Sequence, residues 1–175
     1  MVIALAGRRI DAPDADTPRF PPHQAADVRE RLDRLFAALG ARGLVCSAAC
    51  GADLIALEAA YAAGLRRRIV LPFDRAAFRN SSVIDRGGNW GDRFDRQVEN
   101  AEIVELHRKP GDDGAYAAAN TAIFDEAMAM AADLEMAVTA VVVWNGHPRG
   151  NGDLTAAFRD EAQRRGLPLR EISTL

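Results

Sequence analysis

Residues 47–53, with the sequence SAACGAD, have the composition of a loop that binds an anion. They follow a short apolar run at residues 44–46, and a helical pattern begins at Asp53. Small side chains let a ligand contact backbone N–H groups directly, and the helix dipole favours a negative charge there. The pattern predicts a phosphate or nucleotide site, in which Gly51→Val should block binding without unfolding the chain. The candidate ligand-binding residues are Ser47, Ala48, Gly51, Ala52 and Asp53.

Two arginines follow the first apolar run of the chain. Gly7, Arg8 and Arg9 come directly after residues 2–6. Guanidinium groups match phosphate oxygens bidentately, so these three residues are further ligand-binding candidates. The alternative is that both arginines form surface ion pairs with carboxylates of the same loop. Those carboxylates are Asp11, Asp14 and Asp16.

Two further loops carry residues suited to a nucleotide. At residues 72–83 a carboxylate can accept ribose hydroxyls, arginines can contact phosphate and a serine can donate a hydrogen bond. The candidates there are Asp74, Arg75, Arg79 and Ser82, and the alternative is an ordinary solvated loop. Residues 145–153 form a glycine-rich loop before the last predicted helix, which makes them a second candidate anion cradle. Its candidate residues are Arg149, Gly150 and Gly152.

Carboxylates near the predicted strand ends are the candidates for acid–base catalysis. The carboxylates at these positions are Asp11, Asp53, Asp74, Asp92 and Asp153. The catalytic candidates among them are Asp53, Asp74 and Asp92, with helix capping as the alternative role of Asp53. The sequence has no P-loop, no GxGxxG fingerprint and no metal-binding spacing. Cys46 and Cys50 have no partner at zinc or redox spacing. We therefore expect no metal and no cofactor.

Strand and helix patterns alternate along the whole chain. The predicted strands are residues 2–6, 44–46, 68–71, 103–106, 137–144 and 168–172. The predicted helices are residues 23–39, 53–63, 92–101, 115–134 and 153–165, with one helical turn at most at 74–78 and turns at 107–114. The alternation predicts an α/β fold, a three-layer, Rossmann-like, doubly wound and mostly parallel sheet of about six strands. Such a sheet binds its ligand beyond the carboxyl ends of the strands.

Length and charge restrict the classes of function. The chain has 175 residues, of which 49 % are hydrophobic, and we expect a single domain over residues 1–175. The formal net charge of −3 provides no basic field to attract nucleic acid. No apolar run approaches the roughly 20 residues that cross a membrane, and residues 1–11 lack the basic start of a signal peptide. We expect a cytoplasmic protein that binds neither nucleic acid nor a membrane.

Several motifs, taken in order, resemble the SLOG superfamily, which is related to the LOG phosphoribohydrolases and to DprA-type domains. They are GRR at 7–9, SAACGADLIALEAA at 47–60, LPFDRAAFRNSSV at 71–83, WGDRF at 90–94 and VVVWNGHPRGNGDLTAAF at 141–158, together with Tyr116 and Asn120. The resemblance covers nearly the whole chain. It implies a pocket for a nucleotide-derived ligand of the ADP-ribose or nucleoside-monophosphate class, with Asn120 among the ligand-binding residues.

The LOG enzymes hydrolyse the N-glycosidic bond of a nucleoside monophosphate and carry the motif PGGxGTxxE. Their glycines hold phosphate, and their glutamate acts on the sugar. In the corresponding stretch of this chain, Asp153 and Leu154 replace the second glycine and the threonine, and Phe158 replaces the glutamate. The loss of that carboxylate favours binding over hydrolysis.

The main prediction is therefore the binding or sensing of a nucleotide-derived ligand. One alternative is an N-glycosidase acting on nucleoside 5′-monophosphates, with Tyr116 and Asn120 positioning the sugar. Another is an oligomeric interaction module with a vestigial pocket, which self-associates through helix 115–134 or helix 153–165. The resemblance implies a homo-oligomer such as a dimer, and an effector protein encoded elsewhere. We also expect at least one of Met128, Met130 and Met136 to lie in the core.

Overall fold

The computed structural model describes residues 1–112 and 114–175, so that Asp113, in the predicted 107–114 turn region, lies outside the described residues. The strands are β1 (Val2–Gly7), β2 (Gly43–Cys46), β3 (Arg66–Leu71), β4 (Glu102–Glu105), β5 (Val138–Trp144) and β6 (Leu169–Ser173). The helices are α1 (Ala25–Ala38), α2 (Ala52–Ala62), α3 (Arg75–Ser82), α4 (Trp90–Glu99), α5 (Ala115–Asp133) and α6 (Leu154–Arg164). Two 3₁₀ turns lie at Pro22–Gln24 and Ile84–Arg86. Over the described ranges, none of the helices has the length and apolar character needed to cross a membrane.

All six strands form one parallel sheet in the order β4-β3-β2-β1-β5-β6. The chain adds β2, β3 and β4 on one side of β1, and then adds β5 and β6 on the other side. The strand order therefore reverses between β1 and β5, where Gly7 lies in register with Val143. The predicted doubly wound α/β fold is confirmed. Ligands of such sheets bind beside this switch point, at the carboxyl ends of the strands.

Alternate residues of the central strands face two different helical layers. Leu5 and Val143 belong to the apolar cluster that contains α1 and α2, whereas Val142 belongs to the cluster with α5 and α6. Both faces of the sheet are thus covered, as a continuous apolar run requires. Met130 is fully buried against the second face, which confirms that at least one of the three methionines lies in the core, while Met128 is exposed.

Residues 73–83 contain helix α3, and the prediction of a loop with one helical turn at most is wrong. Asp74 caps the helix by accepting the Ala77 N–H at 2.9 Å. Phe78 and Ser82 are buried one helical turn apart. The polar residues of this segment resembled a loop because serine and asparagine are weak helix formers. Burial of one side of the helix overrides that local preference.

Strand β3 begins at Arg66, two residues before the predicted start at residue 68. Arg66 and Arg68 lie two positions apart, so their side chains point to the same face of the strand. Both pair with Glu102 of β4, at 2.5 Å and 2.6 Å. The predicted strand began too late because the arginine run has no apolar pattern. In the structure, ion pairs with the neighbouring strand stabilise this part of β3.

Candidate functional site

A cavity of about 460 Å³ lies at the carboxyl end of β1, beside the point where the strand order reverses. Its lining combines three kinds of side chain. Five are arginines, namely Arg8, Arg9, Arg19, Arg86 and Arg149. Other polar residues are Asp11, Thr17, Ser47, Asp53, Ser82, Tyr116, Asn120 and Thr155. The apolar part of the wall includes Leu5, Phe78, Ala119, Ile123 and Leu154.

Each loop that was predicted to bind a ligand contributes to this cavity. The predicted residues that line it are Gly7, Arg8, Arg9, Ser47, Asp53, Ser82, Asn120 and Arg149. The predicted residues that lie outside its lining are Ala48, Gly51, Ala52, Asp74, Arg75, Arg79, Gly150 and Gly152. The loops therefore converge as expected from the topology, and ligand contact itself stays a prediction.

The two arginines predicted on α3 pair with protein carboxylates away from the cavity. Arg75 contacts Glu105 at 3.2 Å. Arg79 donates two hydrogen bonds to Asp95, both at 2.9 Å. The geometry gives both side chains a structural role, which joins α3 to β4 and to α4.

Of the three candidate catalytic carboxylates, only Asp53 lines the cavity. Asp74 caps α3, and Asp92 is exposed in the first turn of α4. Sequence position alone placed all three near strand ends, but α3 and α4 carry the last two away from the cavity lining.

The loop at residues 47–53 uses several of its own N–H groups within the protein. Three of them donate to protein acceptors at 3.0–3.2 Å. They are Ala49 to the Asp53 carboxylate, Cys50 to the Ser82 carbonyl and Ala52 to the Arg8 carbonyl. The start of α2 is therefore closed to an anion at these three positions. The residues of the loop that line the cavity are Ser47, Ala49 and Asp53.

Gly51 lies against the segment that follows β1. Its φ is 120°, and an added Cβ would lie 2.5 Å from the Ile10 nitrogen and 2.7 Å from the Arg8 carbonyl oxygen. Glycine is required there by the close approach of two backbone segments. The expectation that Gly51→Val blocks a ligand without affecting the fold is wrong for this reason.

Gly51→Ala is expected to destabilise the protein more than Gly150→Ala. Gly150 also has a positive φ, of 102°, but an added Cβ there meets nothing within 4 Å. Gly150→Ala should therefore cost only backbone strain, about 1–3 kcal/mol, whereas Gly51→Ala adds a steric clash of about 1–3 kcal/mol. Urea denaturation of both variants measures the difference, and equal losses would contradict the close approach at Gly51.

Arg8 is held entirely by protein contacts. Its side chain is 3 % exposed. Its Nη1 donates to Asp153 at 2.7 Å, Nη2 donates to the His147 carbonyl at 2.7 Å, and Nε donates to Asn145 Oδ1 at 3.3 Å. Arg8 thus joins the end of β1 to the loop before α6, instead of pairing with a carboxylate of its own loop.

In the loop at residues 145–153, which was predicted as a second anion site, the bound anion is the carboxylate of Asp153. Its carboxylate accepts the N–H groups of Thr155 at 2.9 Å and Ala156 at 3.2 Å as the cap of α6, and the Arg149 N–H at 2.6 Å. Burial opposes its ionisation, but the Arg149 N–H and the Arg8 side chain hold the pKa of Asp153 below its ordinary value. The N–H groups of Arg149, Thr155 and Ala156 are therefore already bound by a carboxylate of the chain, so that they are closed to a phosphate.

Three polar atoms of the cavity-lining residues are buried without a hydrogen-bond partner. They are Nε of Arg9, Nε of Arg86 and Oδ1 of Asp53. Over residues 1–112 and 114–175, the one other such side-chain atom is Oε1 of Gln24. An unpaired buried polar group costs about 1–3 kcal/mol, and native proteins contain few. Their concentration at one cavity is the pattern expected where a polar ligand supplies the missing partners.

Asp53 is a buried carboxyl group whose acidity is much weakened. Asp53 is 7 % exposed, and its Oδ2 accepts the Ala49 N–H at 3.2 Å. Burial raises the pKa of Asp53 to about 7, although the Ala49 N–H and the charge of Arg9 lower it. A carboxyl group that titrates near neutral pH in a cavity is suited to proton transfer.

Sequence reasoning did not identify Arg19 or Arg86 as site residues, and it named Asp11 only as a carboxylate near a strand end. Asp11 accepts the backbone N–H groups of Arg19 at 2.8 Å and Phe20 at 2.9 Å, which holds the loop after β1 beside the cavity. The position of this loop in the sequence could have indicated a role in the site, because a loop that leaves the carboxyl end of a central strand begins at the ligand-binding edge of the sheet. Arg86 lies in a 3₁₀ turn within a glycine-rich segment that carried no such signal.

No protein-family model and no curated protein sequence matches the chain. Among solved structures, the chain is similar to DNA processing protein A (DprA) from Streptococcus pneumoniae, with 15 % identity and a TM-score of 0.44 over 97 % of this chain and 57 % of that chain. It is also similar to the Moco carrier protein from Chlamydomonas rheinhardtii, with 18 % identity and a TM-score of 0.33 over 99 % of this chain and 90 % of that chain. The chain thus spans little more than half of the DprA chain. Both similarities are too distant to bear on function, which has to be inferred from the cavity.

Proposed function

We propose that this protein binds a nucleotide or a nucleotide-derived ligand, of the ADP-ribose or nucleoside-monophosphate class, in the cavity beside β1. The observation that carries the proposal is the set of three buried polar atoms without partners, on Arg9, Arg86 and Asp53. Two of these atoms are hydrogen-bond donors, which an anion satisfies. The third is a carboxyl oxygen, which a hydroxyl or amino group of the same ligand satisfies.

The charges around the cavity favour an anionic ligand. Burial lowers the pKa of Arg149, and the positive charges of Arg8, Arg19 and Arg9 lower it further against the opposing charge of Asp153. The positive charges of these arginines therefore oppose the charge of Arg149. A phosphate group placed among them would relieve this repulsion and accept charge-assisted hydrogen bonds.

The apolar lining of the cavity suits the uncharged part of a nucleotide. Phe78, Ile123 and Leu154 provide apolar contact area. Tyr116 also lines the cavity, and its hydroxyl is 2.9 Å from Ser82 Oγ. A volume of about 460 Å³ lies within the range of about 300–1,000 Å³ that is usual for small-molecule sites. The position beside the switch point is where sheets of this topology bind nucleotides.

Membership of the SLOG superfamily is part of the same proposal. It is supported by the order of the GRR, SAACGAD and PFDRAAFRNSS motifs in the sequence, because all three contribute residues to the cavity lining. A single domain over residues 1–175, self-association and a separate effector protein are further proposals, which rest on the sequence resemblance.

Arg19→Met is expected to weaken the binding of AMP and of ADP-ribose about tenfold or more. A hydrogen bond to a charged group contributes about 1.5–3 kcal/mol, and each 1.4 kcal/mol is a factor of ten in affinity. Among the described residues Arg19 forms no ion pair, so the substitution breaks no native one. Isothermal titration calorimetry measures the change, with Arg34→Met on the exposed face of α1 as the control. If the folded wild-type protein binds no nucleotide, the proposed function is overturned.

A second candidate function is cleavage of the N-glycosidic bond of a nucleoside 5′-monophosphate. It is favoured by the unpartnered Oδ1 of Asp53, a carboxyl group of raised pKa in the cavity wall. Asp53 would transfer the proton that the leaving base gains or the attacking water loses. Chromatography of a reaction with AMP distinguishes the two candidates, because an enzyme releases free adenine and Asp53→Asn should abolish that release.

A further inference from the structure

The carboxylate of Asp85 holds two of the cavity arginines from outside the cavity. Asp85 lies in the 3₁₀ turn Ile84–Arg86, between α3 and α4. Its Oδ1 accepts a hydrogen bond from Nη2 of Arg9, and its Oδ2 lies 3.8 Å from Nη1 of Arg86. Arg9 and Arg86 line the cavity, whereas Asp85 does not.

This contact leaves the guanidinium of Arg9 only partly satisfied. Nη2 of Arg9 donates to Asp85 and to the sulfur of Cys50, while Nε is buried without a partner. Nε of Arg86 is also buried without a partner. A phosphate group matches the Nε–Nη edge of a guanidinium with two parallel hydrogen bonds. It therefore satisfies Arg9 better than the single contact with Asp85 does.

Asp85 is well placed to give up this contact. Its side chain is 33 % exposed, so that its carboxylate regains water when it leaves Arg9. Gly87 and Gly88 follow directly, with φ of 71° and 67°, and an added Cβ at Gly87 meets nothing within 4 Å. The backbone directly after the turn therefore has open space at Gly87.

We propose that Asp85 makes an autoinhibitory contact, in which its carboxylate occupies the hydrogen-bonding edge of Arg9 until the anionic group of the ligand displaces it. The inference rests on the proposed function, and it assigns the anion of that ligand to Arg9 and Arg86. A ligand without an anionic group leaves Asp85 in place. Asp85 consequently weakens the binding of anionic ligands and has no effect on neutral ones.

The test compares AMP, adenosine and inorganic diphosphate by isothermal titration calorimetry on wild-type protein and Asp85→Asn. Removing the competing carboxylate should raise the affinity for AMP and for diphosphate about two- to fivefold, the factor expected for a partly exposed ion pair. The affinity for adenosine should not change. A purely structural role of Asp85 would move all three affinities in the same direction.

Asp95→Asn is the matched control, because it removes one negative charge from an exposed ion pair between α3 and α4, with Arg79, outside the cavity lining. It should leave all three affinities unchanged. If wild-type protein binds AMP and Asp85→Asn binds it equally or more weakly, the autoinhibitory contact is overturned and the proposed function stands. If neither protein binds AMP or diphosphate, both proposals fail together.

Discussion

Asp153→Ala is expected to lower the free energy of unfolding by about 3–5 kcal/mol, the cost typical of breaking a buried ion pair by removing one partner. The side chains of Arg8 and Asp153 are 3 % and 1 % exposed, and they meet at 2.7 Å. Without Asp153, the Arg8 guanidinium keeps its charge although its side chain is only 3 % exposed. The N–H groups of Thr155 and Ala156 also lose their acceptor at the start of α6, which adds about 1 kcal/mol.

Urea denaturation at pH 7 measures this loss, and Asp74→Ala is the matched control. Asp74 is also a helix cap, of α3, but it is exposed and accepts one N–H group, from Ala77 at 2.9 Å. Its loss should cost about 1 kcal/mol. Asp153→Asn keeps an oxygen for the α6 cap and removes the charge, so it should fall between the two variants. Equal losses for Asp153→Ala and Asp74→Ala would show that the ion pair with Arg8 contributes nothing.

Asp53→Asn is expected to make the protein more stable than wild type at pH 8, by about 4 kcal/mol, and equally stable below pH 4. Burial raises the pKa of Asp53 from 3.8 to about 7, and each pKa unit corresponds to about 1.4 kcal/mol. The folded protein binds this proton more tightly than the unfolded chain does. The contribution of Asp53 to stability is therefore fully present below pH 4, and it is lost as the pH rises from 4 through 7.

The measurement is the difference in free energy of unfolding between wild type and Asp53→Asn at pH 4, 5.5, 7 and 8. Asparagine is uncharged at every pH and can still accept the Ala49 N–H through its side-chain oxygen. Using the difference removes the opposite effects of carboxylates whose pKa is lowered, such as Glu102 and Glu171. The exposed Asp33→Asn variant should show no such trend. A difference that stays constant across this range would mean that Asp53 is ionised without penalty in the folded protein.

The raised pKa of Asp53 also affects ligand binding. At neutral pH the carboxyl group is close to half protonated, so a ligand that donates a hydrogen bond favours its ionised form. A ligand with an acceptor favours the protonated form instead. The pH dependence of nucleotide affinity near pH 7 thus reports which kind of group faces Asp53.

The sequence by itself determined the fold and the edge of the sheet at which the cavity lies. The apolar runs at residues 137–144 and 2–6 predicted strands covered on both faces, and the structure places them side by side as β5 and β1. Because parallel strands end at one common edge, the loops after them had to converge. Arg9, Ser47, Asp53 and Arg149 were identified as candidates from their residue types and from their position in these loops, and all four line the cavity.

Only the tertiary structure decided what these residues contact. Arg8 and Asp153 are separated by 145 positions in sequence, and no local pattern indicates that they form a buried pair. The loop SAACGAD has the composition of an anion site, yet its N–H groups at Ala49 and Ala52 bind the chain itself. Backbone periodicity and capping are short-range properties that a sequence displays directly. Which group pairs with a charged side chain depends on which distant loops are in contact in the folded protein. It also depends on how far that contact excludes water.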